Sequence, residues 1–328
     1  MEAGWVRRMK QLRERYLFSL FLSWFAKPFQ RFCSGAASQI KSKVRRNSVS
    51  VRLPNGSHMK VARDAGIWLA SLLFWDGLDG YEKETSRTLR FFFSRADTFV
   101  DVGANYGLYS ILGALWNPKL LVVAFEPLSA IYRGLKKNVA INGLEARVAC
   151  ENLALADYSG PAMLYLPKSE GKDAESTGTL SSSSWQVRHQ SPQMEVEALR
   201  FDDYESSHPM KVDLIKIDVE DFEASVLAGM RRVILRDRPF IICEVLPRVN
   251  EHKNQSTFEI IQSLGYCAYW ITPSGYIRVN GFDFQRSSTD FLLSPVSAPA
   301  EVVTDLEVFW QIYKTVQQGK VDAVSASA

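Results

Sequence analysis

Thr98-Phe99-Val100-Asp101-Val102-Gly103-Ala104-Asn105-Tyr106-Gly107 is the stretch whose reading decides the fold. A β-branched and aromatic run stops at a small-residue turn, and an apolar helical pattern follows through Leu108, Ile111, Leu112 and Leu115. Strand, tight turn and helix in that order present a nucleotide-sized cofactor to a helix N-terminus. The spacing is Gly103-x-x-x-Gly107, without the middle Gly that lets a backbone approach a pyrophosphate, and Asp101 precedes it. A turn with a carboxylate and no phosphate-reading Gly suits a cofactor that carries an ammonium and no phosphate. S-adenosylmethionine is the common one, so Asp101, Gly103, Asn105, Tyr106 and Gly107 are the first candidate cofactor residues.

Downstream the chain alternates strand and helix patterns, which predicts a doubly wound, mostly parallel α/β sheet. Leu120 to Phe125 is a continuous apolar run, as a strand buried on both faces should be, and it ends in Glu126-Pro127. Glu126 stands where a ribose would lie, and its two oxygens can accept from both ribose hydroxyls. An acid there also suits the start of the following helix. A nicotinamide enzyme would use the same acid, so Glu126 alone does not separate the two cofactors.

Asp101-Val-Gly-Ala-Asn-Tyr-Gly107, Ala124-Phe-Glu-Pro127, Asn138, Asn142-Gly-Leu144 and Leu214-Ile-Lys-Ile-Asp-Val-Glu220 occur in that order. As an ordered set, over about residues 95–295, they resemble the FkbM family of S-adenosylmethionine-dependent methyltransferases. The resemblance implies a class I methyltransferase sheet with an antiparallel last strand. It implies methyl acceptors ranging from sugars of glycans and lipid-linked saccharides to polyketide hydroxyls. One position departs: the family usually has Gly after Asp-Val-Glu, and this chain has Asp221.

Asp218 to Asp221 follow the strand pattern Val212 to Ile217, an apolar run that Lys216 interrupts. Ligands of open α/β sheets collect beyond the C-terminal strand ends, so Asp218 or Glu220 can face the sulfonium or take the acceptor's proton. Helix capping is the plainer use of the same acids, and the resemblance favours a site role for Asp218. Glu244 ends the next strand, Phe240 to Val245, and is the third catalytic candidate. Arg147 to Ala156 reads as one strand whose end, at Leu153 and Ala154, would edge the adenine in this fold. Ala162 to Leu166 extends the sheet or starts a hairpin, and Met194 to Phe201 alternates as a strand before the acidic Asp202-Asp203-Tyr204. In the irregular stretch between them, Trp185 could stack on a sugar ring and His189 is a base by type.

The 328 residues, 46% of them apolar, describe a folded chain with a net charge of only +3. Residues 1–60 hold thirteen Lys and Arg against Glu2 and Glu14, and the remainder is acidic. Within residues 1–35 the apolar run Tyr16 to Ala26 is too short to span a bilayer, and Lys27-Pro28 approaches no signal-cleavage site. That segment suits a helix on an anionic membrane, or one packed on the body. The four cysteines lack metal spacing, which argues against a structural metal and for a reducing, cytoplasmic setting, with membrane association through residues 1–35.

The expected divisions are a basic segment and linker (1–60), lead-in helices (61–97), the methyltransferase domain (98–296) and a C-terminal helix and tail (297–328). Val49 to Val61 reads as a hairpin, and the lead-in helices should cover part of the pocket, with Tyr81 to Thr85 a lid or an ordinary helix start. No nucleic-acid-binding signature is present. The expected activity is transfer of a methyl group from S-adenosylmethionine to a hydroxyl oxygen of a saccharide or other small acceptor. A non-catalytic cofactor-binding protein and a nicotinamide oxidoreductase are the alternatives.

Overall fold

The computed structural model describes residues 47–166, 178–181, 191–246, 251–282, 289–298, 302, 304–309 and 311. Trp185, His189 and the basic segment 1–35 therefore lie outside the described residues. Among those described, no helix is long and apolar enough to cross a membrane.

The central sheet contains β3 (Thr98–Val102), β4 (Leu121–Phe125), β5 (Val148–Glu151), β9 (Leu214–Ile217) and β10 (Phe240–Glu244) as neighbouring parallel strands. Beyond β10 come β13 (Asp290–Pro295), antiparallel to it, then β11 (Tyr266–Thr272) and β12 (Gly275–Val279). The order across the sheet is β12-β11-β13-β10-β9-β3-β4-β5. The reversed strand expected from the resemblance is β13. The two faces of the central sheet bury separate apolar clusters: Phe99, Leu214 and Ile242 belong to one, and their chain neighbours Val100, Ile215 and Ile241 to the other.

Before this sheet, β1 (Ser48–Arg52) and β2 (His58–Ala62) form the expected hairpin. Helices α1 (Ile67–Trp75) and α2 (Lys83–Phe93) lead in, and α3 (Leu108–Trp116) and α4 (Ser129–Ile141) follow β3 and β4. Helix α4 stops at Asn142-Gly143, as read from the sequence. Asn138, one of the motif residues, turns out to be a fully buried staple. Its side chain donates to the carbonyls of Ala65 and Tyr106 and accepts the Ala62 N–H, joining three segments to α4.

Three elements differ from the sequence reading, and one that it left open is resolved. The strand read over Arg147 to Ala156 breaks after Glu151, because the Asn152 amide turns back to the carbonyls of Glu126 and Pro127. The chain then starts β6 (Ala154–Leu155), which leaves the central sheet for a small one ordered β6-β8-β7. Ala162 to Leu166 resolves as a partner in that sheet: β7 (Gly160–Tyr165) runs antiparallel to β8 (Gln193–Leu199). The acids after β8 belong to helix α5 (Phe201–Ser207), whose Asp202 side chain accepts the N–H groups of Arg232 and Val233. Strand β12 was missed, since Thr272 makes a tight turn by accepting from Ser274 and Gly275 and sends the chain straight back. The tail reading is met in part, with residues 304–309 helical and Leu306 buried.

Candidate active site

A cleft of about 860 Å³, counting its open mouth, lies beyond the C-terminal ends of β4, β3, β9 and β10. Eight of the sequence candidates line it: Gly103, Asn105, Glu126, Leu153, Ala154, Asp218, Glu220 and Glu244. Three candidates do not. Asp101 turns the other way, 2% exposed, and accepts a hydrogen bond from Ser110 Oγ of α3 at 2.6 Å. On a strand covered on both sides, a side chain two residues before the turn faces the flanking helix instead of the strand end. Burial pushes its carboxyl up to about 6, against the lowering pull of Lys216 and Ser110. Tyr106 packs its ring beside Gly66 and Gly134, and Gly107 starts α3 with φ +87°. These residues shape the turn from behind.

At the turn itself, Gly103 has φ +78°, and a Cβ there would lie 1.9 Å from the Asp218 carbonyl oxygen. The first turn of the cleft thus rests directly on the end of β9. The Asp218 N–H donates to Val102 O at 3.0 Å, and the Gly103 N–H to Phe125 O at 3.0 Å. Glu126 is 5% exposed and locked by both oxygens: the Asn105 N–H donates to Oε2 at 3.0 Å and the Leu128 N–H to Oε1 at 2.9 Å. Burial nevertheless raises its carboxyl to about 7. Each oxygen keeps a further lone pair, so the group can still take a ribose hydroxyl.

Across β3 from Glu126, one carboxylate oxygen each from Asp218, Glu220 and Glu244 lies within 4.8 Å of the others. Burial pushes the Asp218 carboxyl up, but the Lys216 ammonium and a hydrogen bond from Glu244 more than offset it and hold it below the ordinary range. Burial and the Asp218 charge together drive Glu244 well above the ordinary range, while Thr289 Oγ1 donates to its Oε1 at 2.8 Å. The surroundings thus push the two acids apart, Asp218 toward its charged form and Glu244 toward its neutral one. The trio's spacing would admit a divalent cation, but the Lys216 ammonium, 2.7 Å from Asp218 Oδ2, already supplies the countercharge.

Glu220 and Asp221 have consecutive positive φ angles, +53° and +79°. Side chains are strained in that region, which explains why a Gly suits the position that Asp221 fills. The strain is held by the Asp221 N–H donating to Glu223 Oε1 at 3.0 Å and by Ser181 Oγ, 3.4 Å from Asp221 Oδ2.

Sequence reasoning missed four parts of the wall. Leu164, Gly178 and Leu180 reach the cleft from the small sheet and its following strap, and Phe222 joins them. Tyr81 lines the cleft from the segment before α2, so Tyr81 to Thr85 is both a helix start, at Lys83, and a piece of wall. No local signal marks Leu164, Gly178 and Leu180, since they arrive by long-range packing. Lys216 did leave a signal: one charge inside an apolar strand needs a buried partner.

Parallel strands in this order, an antiparallel β13 between β10 and β11, and a cleft at the β3–β4 turns define a class I methyltransferase fold. The Methyltransferase FkbM domain matches residues 101–271, just over half of the chain, and the chain belongs to that family. The cofactor that goes with this fold and family is S-adenosylmethionine. Among curated relatives, Methyltransferase sdnD of Sordaria araneosa is 29% identical over 40% of this chain and 59% of the relative. Methyltransferase 1 of Beauveria bassiana is 23% identical over 41% and 59%. The chain thus spans 59% of the length of each of these two relatives. Methyltransferase FkbM from Methylobacillus flagellatus is 15% identical, with a TM-score of 0.40 over 71% of this chain and 56% of that one. An O-methyltransferase from Bacillus cereus in complex with SAH is 14% identical, with a TM-score of 0.36 over 64% and 79%.

Proposed function

We propose that this methyltransferase acts on oxygen, moving the methyl group to a hydroxyl of a sugar, glycan or lipid-linked saccharide. In this reading the adenosine lies along Leu153 and Ala154 with its ribose on Glu126. The sulfonium then meets Asp218, Glu220 and Glu244. The observation that carries it is the grouping of those three carboxyls within 4.8 Å of one another in the cleft beyond β9 and β10. The acceptor oxygen forms its bond to the methyl carbon while the carbon–sulfur bond breaks, its electron pair staying on sulfur. The hydroxyl proton passes to a carboxylate of the trio. An alcohol is a poor nucleophile until that proton leaves, so a placed base and in-line contact account for much of the acceleration.

The test is incubation with isotopically labelled S-adenosylmethionine and separated glycan, lipid and small-molecule fractions. The account expects label in a saccharide-bearing pool that survives mild alkali, as a methyl ether does. Label released by alkali would mark a carboxyl ester, and label on nitrogen would equally reject oxygen methylation of a hydroxyl. The basic segment 1–35 fits an acceptor held at an anionic membrane. Removing that segment should lower sedimentation with anionic liposomes, and unchanged sedimentation removes this part of the proposal.

A further inference from the structure

Beneath the trio lies a cation that the transfer reaction, as described, leaves without a task. The Lys216 side chain is 3% exposed, with Nζ 2.7 Å from Asp218 Oδ2 and 5.0 Å from the centre of the Tyr109 ring. Acids from separate elements face it: Asp218 beyond its own β9, Asp101 on β3, Asp290 on β13 and Glu82 at the start of α2. Glu244 of β10 faces the same ammonium through Asp218. Glu82 is held there in a left-handed conformation, φ +39°, and its Oε2 accepts the Tyr109 hydroxyl at 2.7 Å. A buried lysine is costly unless paired, so this arrangement is built around keeping it charged.

Two carboxyls in contact share a proton, and a neighbouring cation decides which of them keeps the charge. Asp218 touches the ammonium, whereas Glu244 touches Thr289 and Asp218. We propose that Lys216 is a positioning residue that fixes the negative charge on Asp218 and leaves the shared proton on Glu244. The cleft then offers the sulfonium one carboxylate of fixed place, with a neutral donor beside it. Lys216 touches neither cofactor nor acceptor in this role and acts only through Asp218. The inference rests on the methyl end of the cofactor meeting these acids, and it is independent of what the acceptor is.

S-adenosylmethionine and S-adenosylhomocysteine differ only by the methyl group and its charge, so the ratio of their affinities reads the charge that faces sulfur. Calorimetric titrations of both, from about pH 6 to about pH 9, compare the wild type with Lys216→Met. The affinity ratio of the variant should fall about tenfold more than the wild-type ratio from the alkaline to the acid end, because Asp218 now takes up a proton. Asp101, Glu82 and Asp290 face the same ammonium, and an Asp290→Asn background separates the Asp290 carboxyl from Asp218. Parallel pH curves for wild type and variant would overturn the proposal. Should Lys216→Met fail to fold, the contrast between Asp218→Asn and Glu244→Gln decides. Loss of the charged member must lower the ratio more than loss of the neutral one, and equal losses or the reverse order would overturn it too. Failure of both ligands to bind the wild type removes the proposed reaction along with this role, whereas normal binding with parallel curves removes this role alone.

Discussion

Replacing Gly103 by Ala puts a methyl group where the structure has none to spare. Its Cβ would lie 1.9 Å from the Asp218 carbonyl oxygen, when real contacts of this kind stay beyond 3.0 Å. The β3 turn and the end of β9 must then separate by roughly 1 Å, more than a close-packed interior yields without loss. Two hydrogen bonds span that junction, from the Asp218 N–H to Val102 O and from the Gly103 N–H to Phe125 O, each 3.0 Å. Losing them costs about 1 kcal/mol apiece. Forcing a side chain to φ +78° adds about 1 kcal/mol, for a total of about 3 kcal/mol. Gly143 supplies the control, since it has φ +67° with nothing within 4 Å of its would-be Cβ. Gly143→Ala should therefore cost only the backbone part, about 1 kcal/mol. Urea unfolding measures both, and calorimetry with S-adenosylhomocysteine should show binding retained in Gly143→Ala and lost in Gly103→Ala. If the two variants are equally stable and both bind, the close approach of turn and strand is not what builds the cleft.

Asn138→Leu should destabilise the fold by about 3 kcal/mol, because the Ala62 N–H and the carbonyls of Ala65 and Tyr106 lose their partner; a loss under about 1 kcal/mol in urea unfolding would show that these groups find other partners. Glu223 carries a pH prediction. Its carboxyl is buried and raised from 4.5 to about 8, so the native state holds a proton that the unfolded chain has released in that window. Native binding of more protons means stability falls as pH rises, and the wild type should lose ground to Glu223→Gln from about pH 5 to about pH 8. Thermal melts that keep a constant difference between the two across that range would contradict the assignment.

What was legible in the sequence depended on local signals. The run from Thr98 to Gly107 carried its strand, turn and helix in period and glycine placement, and Glu126 followed from its place at a strand end. Asp218, Glu220 and Glu244 were found by the same strand-end rule, and the fold brings their carboxyls together. Asp101 misled because its neighbourhood in sequence is not its neighbourhood across the sheet: it points at Ser110 of α3. Tyr81, Leu164 and Leu180 reach the cleft through the docking of a lead-in segment and a small second sheet. Tyr81 stands more than a hundred positions before Asp218, Leu164 and Leu180 come from a different sheet and its following strap, and no periodicity encodes those contacts. Lys216 lies between: its oddity in an apolar strand was visible, but the acids around it come from β3, β13 and the start of α2.

The central claim is that one cleft holds the cofactor, with its ribose on Glu126 and its sulfur before Asp218. A crystal structure grown with S-adenosylhomocysteine tests it most directly. The account predicts both ribose hydroxyls within hydrogen-bonding reach of the Glu126 carboxyl, the adenine against Leu153 and Ala154, and the sulfur facing the three acids. Ligand bound elsewhere, or seated with its ribose turned away from Glu126, would contradict it.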